Sequence, residues 1–323
     1  MTKLKDNYFK IIRAGVNTTF QDIGRKNLNH IGIPIGGVMD KRNFILANAL
    51  LRKEIYSPVI EFAYQGPFLE FNGDKVFLVI TGDVQFHILK KNNKKIAGEP
   101  YNVYLIENKD QIDIQSTNKS VYGYISISEN FILNKIWSSV STNTKAKIGS
   151  NNGEKLSDNQ KISIENKNKN TALAKLKYVN KKIEFIRVIK STNFDYFSKK
   201  SKEIFFNSKF KVSKLSDRMG MRLEGQILEN IVNTNIKSEG IVKGVIQVPS
   251  DGNPIIMFAD HGTIGGYPKI ANVITADFDR LAQMTPGSYI KFKEVSLEEA
   301  EKLFKFYNLE TSNLISQILW TYY

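Results

Sequence analysis

Short segments rich in aromatic and β-branched residues recur along the chain, and Gly, Asn or Asp separates one from the next. Several alternate apolar and polar residues with period two, which is the pattern of a half-buried β-strand. Strands are therefore predicted at residues 8–13, 75–80, 84–88, 122–127, 184–189, 210–212, 241–248, 255–259 and 289–295. This spacing favours a barrel or a sandwich, so the fold is expected to be mostly β with a few helices.

Helices are predicted at three places. Asp40 is expected to cap a helix over residues 41–53. The buried side of this helix comprises Phe44, Ile45, Ala47, Leu50 and Leu51. A short helix is expected over 194–205, and a Ser-x-x-Glu capping box at 296–299 predicts a C-terminal helix that ends near residue 307.

A chain of 323 residues suits two domains better than one. We place them at 1–178 and 179–296, followed by a helix and an apolar tail at 297–323. Residues 138–182 are rich in Asn, Lys and Ser, which predicts a long loop and an interdomain connection. The apolar segment 314–323 is expected to fold back on its own barrel, and the alternative is docking on a partner.

Composition and the pattern of apolar residues indicate the cellular location of the protein. No apolar run approaches the ~20 residues that span a bilayer, so no membrane association is expected. Residues 1–6 are charged and lack the apolar centre of a signal peptide. The absence of cysteine excludes disulfides, thiolate metal sites and a cysteine nucleophile. The expected location is the cytoplasm.

The net charge of +14 does not predict nucleic-acid binding. Of the 46 basic residues 38 are Lys, and these are scattered and densest in the stretch 165–170. Proteins that read nucleic acid depend strongly on Arg, whose planar fork makes bidentate contacts. The lysines therefore indicate a solvated surface, whereas Arg25, Arg218 and Arg222 lie inside two glycine-rich segments and point to anion recognition.

These two segments, 18–40 and 216–269, combine Asp, Arg, His and Thr with many glycines. Glycine lets the backbone approach a ligand, and the polar side chains supply hydrogen bonds and charge. We therefore interpret the segments as two halves of one polar site. In the first half, Asp22 and Arg25 either bind an anionic substrate or lock a turn, and spacing alone leaves both open. Asn48 and Glu61 are expected to be half-buried hydrogen-bonding residues with either a structural or a functional role.

In the second half, Arg218 and Arg222 would share one face if the turn after Asp217 were helical. His261 could serve as a general acid or base near neutral pH, or simply as a hydrogen-bonding residue. Successive glycines could form a backbone nest for an anion. The candidate residues of this segment are Asp260, His261, Thr263, Gly265, Gly266 and Tyr267.

Several common sites are absent from the sequence. It contains no phosphate-binding loop, no dinucleotide fingerprint, no His-Glu-x-x-His and no Gly-x-Ser-x-Gly. Three scattered histidines make a dedicated transition-metal site unexpected. There is also no biotin-attachment sequence. Any ATP or biotin chemistry would thus depend largely on another chain.

Taken in order, these residues resemble the C component of the bacterial 5-oxoprolinases, the KipA-like proteins also called the allophanate hydrolase subunit 2 family. The likeness covers roughly residues 8–296. It is strongest at 18–25, 36–40, 47–48, Glu61 with Gly66, 217–225, 247–249, 260–271 and 276–287. A related module forms the second half of the carboxyltransferase domain in urea carboxylase.

The resemblance implies two cyclophilin-like β-barrel subdomains. It also implies an enzyme component that is inactive alone and works with a KipI-like B component and an A component. The complex would open the lactam of 5-oxoproline, a small amide, to glutamate at the expense of ATP, which this chain or its partners would bind; a part for biotin stays open. The alternatives are a regulatory module that binds a KipI-like kinase inhibitor, and a carboxyltransferase component that acts on a urea-like amide.

The resemblance also implies roles for the candidate residues. The arginines would hold a carboxylate or phosphate, and His261 or Asp260 would move protons. Arg218 is expected to be essential for activity of the complex, with replacement by Ala leaving the fold intact. Substrate contacts are expected from Asp22, Arg25, Asp217, Arg222, Thr263, Gly265, Gly266 and Tyr267.

The chain departs from the family pattern in places. Residues 128–130 and 137–142 lack an arginine that the family carries, and the glycine-rich segment at 149–153 is reduced. Residues 190–192 replace a Gly-Pro, and Asn27 stands where glycine is common. Either this region is scaffold or the ligand has changed. The nearly intact second segment favours retained function.

Overall fold

A computed structural model describes residues 7–165, 172–179, 184–232 and 235–322. The charged segment 1–6 and the Asn/Lys-rich residues 166–170 lie outside the described residues. The chain divides into two compact units. Unit 1 comprises Met1–Gly24, Asp40–Asn180 and Thr311–Tyr323, and unit 2 comprises Arg25–Met39 and Lys181–Glu310. The domain boundaries expected at 178 and 296 stay a prediction.

Unit 1 contains two large antiparallel sheets and one small two-stranded sheet that includes the last strand of the chain. Its elements before residue 180 are β1 (Tyr8–Arg13), β2 (Asn17–Gln21), α1 (Lys41–Leu50), β3 (Val59–Ala63), β4 (Phe68–Asn72), β5 (Lys75–Thr81), β6 (Val84–Leu89), β7 (Lys95–Gly98), β8 (Val103–Glu107), β9 (Gln111–Thr117), β10 (Tyr122–Ile127), β11 (Lys161–Ser163) and β12 (Ala172–Lys175). One sheet has the order β11-β1-β4-β9-β6-β7 and the other the order β2-β3-β10-β5-β8. Alternate apolar side chains of both sheets form one buried core, as the period-two pattern requires.

Helix α1 begins where the sequence predicts, because the Asp40 carboxylate accepts a hydrogen bond from the backbone N–H of Asn43 at 2.9 Å. It ends at Leu50 and not at residue 53. Arg52 adopts a left-handed φ of 53°, and the N–H groups of Leu51 and Lys53 both bind the Asn48 carbonyl. This left-handed residue terminates the helix.

Unit 2 is built around one eight-stranded sheet. Its elements are β13 (Ile186–Lys190), α2 (Lys199–Asn207), β14 (Phe210–Val212), β15 (Gly220–Glu224), β16 (Glu239–Gly240), β17 (Val245–Gln247), β18 (Ile255–Met257), β19 (Ile264–Gly265), β20 (Lys269–Val273), α3 (Phe278–Ala282), β21 (Tyr289–Ile290), β22 (Phe292–Glu294) and α4 (Leu297–Ser316), whose residues from Thr311 onward belong to unit 1. The strand order is β21-β14-β15-β18-β17-β20-β13-β22. Because a single residue, Lys291, separates β21 from β22, the same stretch of chain lies at both edges and the sheet nearly closes into a barrel. The short strands β16 and β19 pair separately.

The expected fold class, mostly β with a few helices, is confirmed. Among the described residues, no helix has the length and hydrophobicity that a membrane span needs. Several predicted bounds were wrong. The strand predicted over 241–248 is reduced to β17, since Gly244 has a φ of 92° and interrupts it. The helix predicted over 194–205 begins at Lys199, where Ser198 caps it.

The C-terminal helix continues nine residues beyond the predicted end near residue 307, because no Gly or Pro interrupts the chain before Ser316. The region predicted as a loop over 138–182 contains β11 and β12. Each of these strands holds only one or two buried apolar residues, so the polar composition hides it.

The chain ends in strand β23 (Leu319–Tyr322), which pairs antiparallel with β12. Ile318 is buried, and the guanidinium of Arg52 lies 4.1 Å from the centroid of the Trp320 ring. The apolar tail therefore folds back on unit 1, where it forms a two-stranded sheet with β12 and does not join the larger sheets. Docking of the tail on a partner stays an alternative prediction.

Replacing Trp320 with Ala should lower the free energy of unfolding by about 1 kcal/mol, because it removes the cation–π contact with Arg52. Chemical denaturation of the full chain would measure the change. Leu319→Ala is the matched control, because Leu319 lies on the same strand and is exposed, and it should change stability by less than about 0.5 kcal/mol. Equal losses in both variants would contradict the expected role of the contact.

Candidate functional site

A buried ion pair joins Arg218, in the turn before β15, to Asp260, which follows β18. The Arg218 Nε donates to Oδ2 of Asp260 at 2.8 Å, and Nη2 donates to Oδ1 at 3.1 Å. The Asp260 N–H also donates to the Arg218 carbonyl at 2.9 Å. Both side chains are buried. This bidentate arrangement is the strong geometry for an arginine–carboxylate pair and fixes the two loops against each other.

The end of the first glycine-rich segment lies at this pair. Nη2 of Arg218 donates to the Gly37 carbonyl at 2.7 Å, and the Gly36 N–H donates to the Ala259 carbonyl at 3.2 Å. Gly36 and Gly37 have φ angles of 68° and 85°, a region that favours glycine. The predicted meeting of the two segments is therefore found for residues 36–37, within unit 2.

His261 follows Asp260 and is buried. Its Nδ1 lies 2.6 Å from the Gly262 carbonyl. Because a carbonyl accepts, Nδ1 carries the proton and Nε2 presents the lone pair. Burial lowers the pKa of the imidazole from its ordinary 6.5; the Gly262 hydrogen bond and Asp260 raise it, while Lys243 lowers it further. His261 is therefore neutral at pH 7, in the state a general base requires.

The glycines after His261 do not form the expected nest. Gly265 lies in β19, opposite Glu239, and neither Gly265 nor Gly266 has a positive φ. A nest needs alternating right- and left-handed backbone, which these residues do not adopt. Position 265 requires glycine because of close packing and not because of backbone conformation. A Cβ there would lie 2.4 Å from Ile241 Cδ1 and 2.7 Å from Gln247 Nε2.

Thr263 and Tyr267 flank these glycines. Thr263 is buried, and its carbonyl accepts a hydrogen bond from the Ile241 N–H at 2.9 Å. Tyr267 is exposed, and its carbonyl accepts from Nε2 of Gln247 at 3.2 Å. The side chain of Tyr267 is thus exposed to solvent, whereas its backbone carbonyl is hydrogen-bonded to Gln247 of β17.

Asp217 and Arg222 lie close in sequence to Arg218, but neither is part of its buried ion pair with Asp260. Oδ1 of the exposed Asp217 accepts from the N–H groups of Met219 and Gly220, which stabilises the turn into β15. Arg222 lies within β15 and is exposed. The condition under which Arg218 and Arg222 would share a helical face is not met, because this stretch is a turn and a strand.

Asp22 and Arg25 belong to different units. Asp22 accepts hydrogen bonds from Ser139 Oγ at 2.6 Å and from the Val140 N–H at 2.9 Å, so it holds the loop after residue 138 in unit 1. Arg25 is buried in unit 2, where its N–H donates to the Ile35 carbonyl at 2.7 Å. The segment that departs from the family pattern, 137–142, therefore supplies the partners of Asp22.

Asn48 and Glu61 are fully buried, not half-buried as predicted. The Tyr124 hydroxyl donates to Glu61 at 2.8 Å and accepts from the Asp40 N–H at 2.7 Å. Burial, and then the charge of Glu61, raise the pKa of Tyr124 well above its usual value, so the phenol stays protonated and donates. Asn48 accepts from the Ser126 hydroxyl at 2.7 Å. These residues form a satisfied network inside unit 1.

The sequence-based interpretation missed Gln247, Lys269 and Glu239 in unit 2. Lys269 is buried and forms an ion pair with Glu239, and Gln247 lies opposite Lys269 on the adjacent strand. A buried lysine between apolar strand residues is unusual, and Lys269 within the motif 260–271 was the signal available. Among the described residues, no group of His, Asp and Glu is placed to hold a metal ion.

Comparison with known proteins identifies the family. Residues 31–294 match the carboxyltransferase domain, subdomains A and B. The chain belongs to this family. It is 35% identical over 293 residues to the C component of the Haemophilus influenzae 5-oxoprolinase, covering 91% of this chain and 93% of that protein. The C component of the Escherichia coli 5-oxoprolinase is 31% identical over 299 residues, with the same coverage of each chain.

Solved structures of this family share the fold. The Kluyveromyces lactis urea carboxylase superposes with a TM-score of 0.86 at 23% identity. The match covers 98% of this chain and 30% of that one, so this chain spans less than a third of the larger protein. The resemblance to this family, drawn from motifs in order between residues 8 and 296, is confirmed.

Replacing Arg218 with Ala should lower the free energy of unfolding by roughly 3–5 kcal/mol, because it leaves the Asp260 carboxylate buried without its partner. The buried pair thus predicts a loss of stability where the sequence alone predicted an intact fold. Denaturant unfolding of the full chain provides the measurement. The exposed Arg222→Ala variant is the control and should cost less than about 0.5 kcal/mol. Equal stability of both variants would show that the pair does not stabilise the unit.

Acid should destabilise the protein partly through His261. Because its folded-state pKa is lowered, its contribution to stability is fully present above the unfolded-state pKa of about 6.5 and is lost as the pH falls through the folded value. His261→Asn should therefore flatten the dependence of unfolding free energy on pH as the pH falls below the unfolded-state pKa of about 6.5. Measuring unfolding at several pH values for wild type and variant tests this; parallel curves would contradict it.

Proposed function

We propose that this chain is the C-type component of a heteromeric, ATP-dependent 5-oxoprolinase that opens 5-oxoproline to glutamate. The observation that carries the proposal is its identity to the C components of two 5-oxoprolinases, over nearly the full length of both. The proposed complex includes a KipI-like B component and an A component, works in the cytoplasm and is an amide hydrolase. The chain by itself is proposed to be inactive.

The site in unit 2 supports a proton-transfer role. Neutral His261, with the Nε2 lone pair available, would accept a proton from water as its oxygen bonds to the lactam carbonyl carbon. The same proton would pass to the lactam nitrogen as the C–N bond breaks. Arg218 is already engaged by Asp260 and Gly37, so we assign this pair to positioning the loop that carries His261.

The roles of the remaining candidate residues and of the cofactors are also proposals. Substrate contacts from Asp217, Arg222, Thr263, Gly265, Gly266 and Tyr267, and from Asp22 and Arg25, stay predictions. Hydrolysis of ATP to ADP and phosphate, on this chain or on its partners, would be coupled to lactam opening and supply the energy that it requires. Biotin has no assigned part in this reaction.

Glutamate release from 5-oxoproline and ATP tests the proposal. The chain should be co-expressed with its A- and B-type partners and compared with the A-plus-B pair that lacks it. Activity is expected when all three are present and should be lost when this chain is omitted. Equal rates in both samples, or a stable three-chain complex without glutamate release, would contradict the proposal.

A second candidate function is action on a urea-like amide within a carboxyltransferase complex. It is favoured by the urea amidolyase of Saccharomyces cerevisiae, which is 26% identical over 91% of this chain, although the chain spans 17% of that protein. A carboxyl transfer from biotin would be blocked by avidin. The same complex assayed with urea, with and without avidin, therefore separates the two functions.

A further inference from the structure

A β-bulge in unit 2 places two buried polar side chains opposite each other. Strands β17 and β20 pair Val245 with Asn272 and Ile246 with Ala271. The register then shifts, so that Gln247 lies opposite Lys269 and not opposite the next residue along the strand. Bulges occur often beside functional sites, where they redirect side chains. Residues directly opposite across a ladder have their Cβ atoms roughly 4.5–5.5 Å apart on one face.

Lys269 is a buried cation with a replaceable partner. Its side chain is 7% exposed, and its ammonium forms an ion pair with Glu239, whose side chain is 42% exposed. An ammonium carries three N–H donors, whereas this pair uses one of them. Glu239 lies on the short strand β16 and can turn toward water, but Lys269 cannot. An incoming carboxylate would find a desolvated cation, where charge-assisted hydrogen bonds are strong.

Gln247 supplies a carboxamide on the strand that pairs with the strand of this cation. One of its Nε2 hydrogens is used by the Tyr267 carbonyl, which leaves a second N–H and the acceptor Oε1. Gly265 lies against the amide, and any larger residue there would overlap it. The ribbon of β16 and β19 that carries Glu239 and Gly265 is two residues long on each strand. Hydrogen bonds from the Ile236 N–H to the Gly266 carbonyl and from the Ile241 N–H to the Thr263 carbonyl flank it, both at 2.9 Å.

We propose that Gln247 and Lys269 form a recognition site for a small cyclic amide that bears a carboxylate. The inference rests on the proposed function, under which this ligand is 5-oxoproline. A lactam presents its N–H and C=O on the same side, and a carboxamide matches them with one acceptor and one donor. The carboxylate, one carbon from the lactam nitrogen, pairs with Lys269 in place of Glu239, which moves to solvent.

Two ligands and three variants test the proposal by calorimetric titration of the full chain. The ligands are 5-oxoproline and pyrrolidinone, the same lactam without the carboxylate. Lys269→Met should weaken 5-oxoproline binding roughly 10- to 100-fold, the loss expected for one charge-assisted hydrogen bond, and leave pyrrolidinone binding unchanged. Gln247→Leu should weaken binding of both ligands.

Glu239→Gln is the matched control, because it breaks the same ion pair but leaves Lys269 in place. It should bind 5-oxoproline as tightly as wild type or more tightly, since the competing carboxylate is gone. If the Lys269–Glu239 ion pair were purely structural, Lys269→Met and Glu239→Gln would both lose thermal stability and would bind 5-oxoproline with equal affinity. That result, or the absence of 5-oxoproline binding to the wild-type chain, overturns the inference.

Assays of the three-chain complex separate this inference from the proposed function. If the wild-type complex releases glutamate and Lys269→Met leaves the KM for 5-oxoproline unchanged, the recognition site is wrong and the function stands. If the complex is inactive but the chain binds 5-oxoproline through Lys269, the recognition site stands and the function is wrong.

Discussion

The buried pair between Arg218 and Asp260 is the contact on which the rest of the unit 2 site depends. It holds the turn before β15 to the end of β18, and through Gly37 it also holds the end of the first glycine-rich segment. Both charges are removed from water, so each is stable only with the other in place. His261 follows Asp260 directly, and the position of its imidazole therefore depends on this pair.

The glycines of the site serve two different physical purposes. Gly36 and Gly37 adopt positive φ and allow the chain to turn beneath Arg218. Gly265 does not have a positive φ. Glycine is required at this position because Ile241 and Gln247 pack too closely to leave room for a Cβ. The two kinds of glycine look alike in a sequence. The sequence does not show whether glycine is required for a positive φ or for close packing. The distinction explains why a predicted anion nest is instead a closely packed strand beside a buried amide.

Local patterns predicted much of the fold. The strands at 8–13, 122–127 and 210–212 are found with those bounds, because alternation with period two is a property of the segment itself. Errors occur where a distant contact decides the structure. Strands β11 and β12 have too few apolar residues to be recognised, and they form because β1 and β23 offer them unpaired edges.

The sequence by itself determined the class of fold, the family and the segments that carry the polar site, since each is recorded in residues close together along the chain. Tertiary structure decided which of those residues meet. Asp22 finds its partners more than a hundred positions away at Ser139 and Val140, so its neighbour Arg25 gives no guide to its role. The bulge in β17 and β20 sets Lys269 opposite Gln247. Register and long-range hydrogen bonds depend on the packing of whole sheets, and no short stretch of residues encodes them.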